Sequence, residues 1–320
     1  MKTATASVLV LLLLSISACG NERAADDEGP AGAGSLAVLQ IDFDNLRDNA
    51  RGRDVPTTVY APEAAGVYPY VLLSHGLGGD RKHYVYLARH LASHGYVVAV
   101  PEHIGSSSRQ DAEDLIEALY SEDVVCARKD DLVFLIDTAS QWNVLQPGLQ
   151  GKIDLEHIGV TGHSFGGGTS QWIGGARIRH GDGVKDISDP RVKAIVPMAG
   201  GGTTSPWFRE NSFNHVQIPV MHIVGTDDGW LDKMDSYTKM PDGDKFYVAL
   251  QNVDHLDFVD EKQRGGEKTE RANIIIRALV TAFFDRYLKG EKSAEQKYLK
   301  PEYVRTLTTL QVPGVHWYEK

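Results

Sequence analysis

Apolar residues recur along this chain in short blocks set between polar stretches. Val71 to Leu73, Tyr96 to Val100, Ile158 to Thr161, Val192 to Val196, Val220 to Val224 and Phe246 to Leu250 are largely apolar runs of strand length. Runs of that kind suit strands buried on both faces of a parallel sheet. Between them the period changes. Tyr84, Leu87, Ala88 and Leu91 fall at i, i+3, i+4 and i+7, one face of a helix that Gly95 is placed to end. Helical patterns run through Leu119 and again from Asp131 to Ile136, and a last long helix carries Ile275, Leu279, Phe283 and Tyr287 on one face before Gly290. Strands alternating with helices predict an α/β fold whose mostly parallel central sheet has helices on both faces. Gly181 to Pro190 and Gly200 to Trp207 read as surface insertions, and no internal repeat or second domain is visible.

The first residues change the picture of where the chain works. Lys2 precedes a short apolar stretch, Val8 to Leu14, which is too short to span a bilayer permanently. Ile16-Ser17-Ala18-Cys19 follows, a pattern similar to the bacterial lipobox. The expectation is a signal peptide over 1–18, lipid on Cys19, a flexible tether to about residue 36 and one folded domain over 37–320. Asn21 to Ser35, NERAADDEGPAGAGS, has no apolar period and suits that tether. The chain would be an exported lipoprotein, periplasmic or on the cell-surface side of an outer membrane, touching membrane only through its anchor. Of the two cysteines, Cys126 is then left without a partner and reads as a structural thiol on the buried face of a helix.

Charge narrows the partners. A formal net charge of −10 over 320 residues leaves no basic face for nucleic acid. Ligand-spaced histidines are missing too. No pair among His75, His103, His163 and His255 has the short spacing of a zinc helix or knuckle, so no metal is expected.

The chemistry starts at Gly162-His163-Ser164-Phe165-Gly166, directly after a strand and before a helix-compatible stretch. Gly-x-Ser-x-Gly at a strand-to-helix turn is the nucleophile elbow of α/β-hydrolases. A serine hydroxyl needs a base, and the base needs an orienting acid. Both stand downstream in this fold's order. Thr226-Asp227-Asp228 follows the Val220 strand and Asp254-His255 follows the Phe246 strand. His255 is the base. The spacing Gly225-x-x-Asp228 favours Asp228 over Asp227 as the acid. An oxyanion hole requires two backbone amides. Phe165 supplies one, and Leu77 in His75-Gly76-Leu77-Gly78-Gly79 is placed to supply the other. Glu102 and His103 end a strand near the site, so His103 is a candidate for the substrate cleft as well as for a structural role. His163 is expected just behind the reacting groups.

Three stretches carry a family resemblance: Ser74 to Gly79, Leu91 to His103 and Gly162 to Gly167. Together they resemble the type II platelet-activating-factor acetylhydrolase branch of the α/β-hydrolases, and the order of elements agrees between residues 70 and 290. That resemblance implies Ser164, Asp228 and His255 as the triad, Leu77 and Phe165 as oxyanion donors, and no metal or organic cofactor. Ser107 to Gln110, Pro206-Trp207 and Phe283 to Leu288 also look like cutinases and polyester hydrolases, which implies that Trp207 lines the acyl cleft.

The expected function is hydrolysis of short to medium acyl esters, small or polymeric, through an acyl-enzyme. Its rivals are a dienelactone hydrolase or peptidase on the same scaffold and, from another class, a non-catalytic surface binding module. Serine rather than cysteine at 164 speaks against the dienelactone hydrolase, and no stretch of this sequence is left over for the propeller or large cap that peptidases of this fold usually add. The retained serine and histidine speak against the last.

Overall fold

The computed structural model describes residues 29–260, 264–307 and 314–320. The signal segment, Cys19 and the first half of the expected tether lie outside them. The chain builds a nine-stranded sheet. Its strands are β1 (Val38–Phe43), β2 (Thr57–Pro62), β3 (Tyr68–Ser74), β4 (Val97–Pro101), β5 (Ile153–His163), β6 (Val192–Met198), β7 (Val220–Gly225), β8 (Lys245–Leu250) and β9 (Val315–Glu319). They lie side by side in the order β1-β2-β4-β3-β5-β6-β7-β8-β9. From β4 to β8 every pairing is parallel, whereas β1, β2 and β9 are antiparallel additions at the two edges.

The central strands read as unbroken apolar runs because both their faces are covered. Val71 and Leu73 of β3 and Val98 and Val100 of β4 enter one core, packed under α1 (Val85–Ser93). The intervening Tyr70 and Leu72, Val97 and Ala99 enter the other core. There α2 (Ala112–Tyr120) leads through Ser121 into α3 (Glu122–Leu145), and α4 (Phe165–Ile173) lies alongside. After β7 come two short helices, α5 (Trp230–Lys233) and α6 (Asp235–Thr238), and after β8 comes α7 (Glu267–Tyr287), whose Ile275, Ile276, Leu279, Phe283 and Phe284 return to the first core.

Every strand and helix read from the sequence is present, with four corrections. The 131–136 pattern is the middle of the 24-residue α3. Its face was hard to read because Arg128 and Asp131, both fully buried, interrupt the apolar stripe. Residues 29–35 of the expected tether pack instead on α1 and α7. His90 Nε2 meets Pro30 O at 2.9 Å, His94 Nε2 meets Gly32 O at 3.0 Å, and Arg277 Nε donates to Ala31 O at 3.0 Å. Gly200 to Trp207 is no exposed insertion, since Trp207 is 7% exposed. Cys126 is half-buried, and that burial raises its thiol pKa.

Candidate active site

Leu77, Ser164, Phe165, Asp228 and His255 gather at the carboxyl ends of β3, β5, β7 and β8, where open α/β sheets place their sites. At the end of β5 the chain turns sharply into α4. Ser164 sits in the turn at φ 56° and ψ −116°, a conformation that costs a non-glycine residue about 1–3 kcal/mol. The strain is held by tight packing. A Cβ on Gly166 would lie 2.0 Å from Ser74 O, and one on Gly162 would lie 2.5 Å from Gly166 O, so only glycine fits at either place. Ser164 N–H donates to Met198 O at 2.9 Å, and Gly168 N–H to Ser164 O at 3.0 Å. The hydroxyl stands on the cleft side.

His255 is set by a capping box. Asp254 caps the short helix His255–Phe258 and takes Leu256 N–H at 2.9 Å, while Asp257 Oδ2 takes Asp254 N–H at 2.9 Å. Thr269 of α7 in turn donates to Asp257 at 2.8 Å. The imidazole lies between Ser164 and Asp228. Its Nε2 is 2.8 Å from Ser164 Oγ and its Nδ1 is 3.0 Å from Asp228 Oδ2. Behind it lies the His163 ring, 4.7 Å away between centroids, itself stacked on Phe258 and bonded through Nδ1 to Tyr84 OH at 2.8 Å. Burial, and then the proximity of His255, pushes the His163 pKa well below the usual histidine value, so it stays neutral.

Of the adjacent aspartates, Asp228 turns inward to His255. Asp227 remains 50% exposed, with Lys268 4.0 Å away. Burial works to raise the Asp228 pKa. Hydrogen bonds from His255 and Lys233 outweigh it and hold the carboxyl below its ordinary value. Lys233 touches Asp228 twice, at Oδ2 (2.5 Å) and at the carbonyl oxygen (2.7 Å).

The loop after β3 comes against the elbow: a Cβ on Gly76 would lie 3.4 Å from Ser164 Cβ. Within this loop Gly78 N–H donates to Ser106 O at 3.0 Å and Gly79 N–H to Gly76 O at 3.1 Å. Leu77 N–H has no acceptor among the described residues, and Phe165 N–H opens α4, where helix geometry leaves it without an intrahelical partner. Below the loop Arg128 of α3 is buried completely. It donates to Ser74 Oγ (3.0 Å), Ser106 Oγ (2.8 Å), Thr169 Oγ1 (3.1 Å) and His75 O, and covers the Phe165 ring at 4.7 Å.

A cleft of about 290 Å³ opens beside Ser164 and His255, walled by Leu77, Leu119, Phe165, Trp172, Trp207 and Phe208. Trp207 is fixed there by its Nε1–H, which donates to Leu119 O at 2.6 Å. His103 is not in this cleft. It is fully buried beneath the loop, with Nδ1 2.9 Å from Asp131 Oδ2 and Nε2 2.9 Å from Ser74 Oγ. The sequence placed it correctly at the end of β4 but could not show that Arg128 and Asp131 of α3 enclose it. Those two and Lys233 were missed. Charges on an apolar helix face were a signal for the first two, and nothing in the pattern marks Lys233. Among the described residues no group of three or more His, Cys, Asp or Glu is arranged to hold a metal.

Comparison with known proteins agrees with this fold. The family model "Chlorophyllase" matches residues 31–174. The chain is 25% identical over 207 residues to "Cutinase est1" of Thermobifida alba, covering 62% of this chain and 57% of that protein. It is 24% identical over 270 residues to "Cutinase" of Thermobifida fusca (strain YX), 79% of this chain and 76% of the relative. To "Chlorophyllase-1" of Arabidopsis thaliana it is 25% identical over 293 residues, 81% and 84% of the two chains. The chain is an α/β-hydrolase of the carboxylic ester hydrolase class. In this α/β-hydrolase the family match ends just past α4, so it takes in the loop after β3 and the elbow, while Asp228 and His255 lie beyond it.

Proposed function

We propose that this hydrolase cleaves short to medium acyl esters with Ser164 as nucleophile, His255 as general base and Asp228 as the orienting acid. The observation that carries the reading is the continuous hydrogen-bonded line from Ser164 Oγ through His255 to Asp228, 2.8 Å and 3.0 Å, ending at a strained elbow that faces a cleft. His255 takes the Ser164 proton as Oγ attacks the ester carbonyl. The tetrahedral oxyanion is held by the Leu77 and Phe165 amides, whose contribution is about 10²–10³ in rate for each donor. Asp228 keeps the Nδ1–H tautomer and stabilises the imidazolium. His255 then returns the proton to the leaving alcohol, and water repeats the sequence on the acyl-enzyme.

The aromatic cleft of about 290 Å³ suits an acyl chain of modest length. A polymeric ester is the second reading. It is favoured by exposed Ile116 and Tyr120 beside Leu119, and by exposed Leu231 and Leu256 near Lys233 and His255. Relatives named cutinases agree with it. The N-terminal pattern around Cys19 supports export and lipid attachment as part of the proposal, and loss of radiolabelled palmitate from Cys19→Ser in a bacterial host tests that part.

The functional test is hydrolysis of p-nitrophenyl esters from C2 to C12 by the chain and by Ser164→Ala. Turnover by the former alone supports the mechanism, and its chain-length optimum sorts an acetylhydrolase-like enzyme from a cutinase-like one. Equal inactivity of both on every length removes the reading and leaves the binding module.

A further inference from the structure

Lys233 occupies an uncommon place for a lysine. It lies on α5, five residues after Asp228, with its side chain only 17% exposed and on the wall of the cleft. Its Nζ meets Asp228 Oδ2 at 2.5 Å and donates to Asp228 O at 2.7 Å. His255 Nδ1 meets that same Oδ2 at 3.0 Å. One carboxylate oxygen thus serves two donors, and one ammonium grips the aspartate at both its side chain and its backbone. The Asp228 carboxylate cannot turn away from His255 without also giving up its Lys233 contact at Oδ2.

The arrangement has an electrostatic side as well. The lysine charge already balances the carboxylate, and it lies within a few ångströms of the ring that must become an imidazolium during the reaction. A fixed cation at that distance disfavours the protonated ring. The other groups around His255 do not repeat this effect. His163 is neutral through burial. Asp254 and Asp257, on the short helix of His255 itself, are ion-paired to Lys268 of α7 at 3.1 and 3.0 Å, and Asp254 also to Arg264 at 2.8 Å. Asp227 is half exposed beside Lys268. Next along the chain, Asp235 is taken by Thr203, whose N–H donates to it at 2.9 Å, and Asp232 is exposed.

We infer that Lys233 is a positioning residue for the reaction: it clamps Asp228 onto His255 Nδ1 and sets how far into acid His255 remains an available base. The kinetic form of this inference rests on the ester-hydrolase reading above.

The test compares wild type, Lys233→Met and Lys233→Arg. The first measurement is kcat/KM for p-nitrophenyl butyrate against pH. The Met variant should move the acidic limb to higher pH by about half to one unit and lower kcat about tenfold, with KM within about twofold. The Arg variant keeps the charge and should keep the limb. The second measurement needs no turnover: nitrogen-15 NMR of labelled histidine, following the His255 ring through its titration, should show the same upward movement in the Met variant. Superposable profiles and titrations for wild type and Met overturn the inference. If wild type hydrolyses no ester, the hydrolase reading fails alone and the NMR comparison still decides the role of Lys233. Lys233→Gln is the second neutral variant should Met fold poorly.

Discussion

Among the described residues two serine–histidine–aspartate chains stand out, one buried and one opening on a cleft. In the buried one, Ser74 Oγ meets His103 Nε2 at 2.9 Å and His103 Nδ1 meets Asp131 Oδ2 at 2.9 Å. In the other, Ser164, His255 and Asp228 are joined by the same atoms at 2.8 and 3.0 Å. The connectivity is the same and the surroundings are opposite. Ser74, His103 and Asp131 have no exposure, and the Ser74 hydroxyl also accepts from Arg128. Burial, then the charge of Arg128, lowers the His103 pKa to about 4, so the ring stays neutral. The His255 side chain is 40% exposed, and Ser164 sits in a strained turn. Hydrogen-bond order alone therefore does not make a catalytic triad. Access, a hydroxyl with no competing cation and a pair of open amides separate the proposed catalytic line from its structural twin. The twin serves the loop instead, because together with Arg128 it anchors the start of the segment that carries Leu77.

The sharpest way to break this comparison is to remove each serine in turn. Ser164→Ala should lower kcat/KM about 10⁴-fold or more with little change in stability. Ser74→Ala should leave kcat within about tenfold but cost about 1–3 kcal/mol in urea unfolding, because Arg128 and His103 lose a buried partner. Equal losses of activity in two well-folded variants would sink the distinction. The aspartates extend the same contrast with a smaller effect. Asp228→Asn should reduce kcat about 10³–10⁴-fold by favouring the wrong histidine tautomer. Asp131→Asn should instead destabilise by about 3 kcal/mol, since Arg53, 2.8 Å away, and His103 both depend on that buried charge.

Acid should act first on the buried histidines. Burial lowers His103 to about 4 and His90 and His222 to about 3, against roughly 6.5 when the chain is unfolded. Between those values the unfolded chain binds protons that the folded one refuses. Stability therefore rises with pH across that window and is lost as pH falls from about 6.5 toward 4. Thermal melts at pH 7 and pH 4.5 should show a clear drop in Tm. His222→Phe should show a smaller one, because its ring packs against Tyr247 with its Nε2 unpartnered. A Tm that is flat with pH would contradict the neutral, buried state of these rings.

Much of this was legible in the chain because strand-end positions and glycine constraints are local. Gly162, Ser164 and Gly166 specify the elbow by themselves, and the order of Asp228 and His255 after two apolar runs follows from the fold. What stayed hidden depends on contacts between distant elements. Arg128 and Asp131 look like breaks in a helical stripe until α3 is laid under the loop after β3. The edge strands went unread for another reason: β1 alternates exposed and half-buried residues, and β9 pairs only with β8. His103, at a strand end, was a candidate for the cleft as well as for a structural role, and its place in the sequence could not tell the wet side of the loop from the dry one.

The smallest effect is the cleanest test of the adjacent aspartates. Both follow β7 in one turn, and the sequence separates them only by one position from Gly225. Asp227 lies half exposed, its own N–H donating to Val253 O at 3.0 Å and its carboxylate accepting from Thr226 Oγ1 at 3.3 Å, with Lys268 4.0 Å away. Neutralising an exposed group of this kind should change stability by no more than about 0.5 kcal/mol. Its charge is also screened from His255 more than the charge of Asp228 is. Asp227→Asn should therefore retain kcat within about twofold and leave the pH profile in place, measured beside Asp228→Asn on the same ester. A large loss at 227 with wild-type behaviour at 228 would mean that the turn is organised the other way round, with Lys233 clamping a bystander.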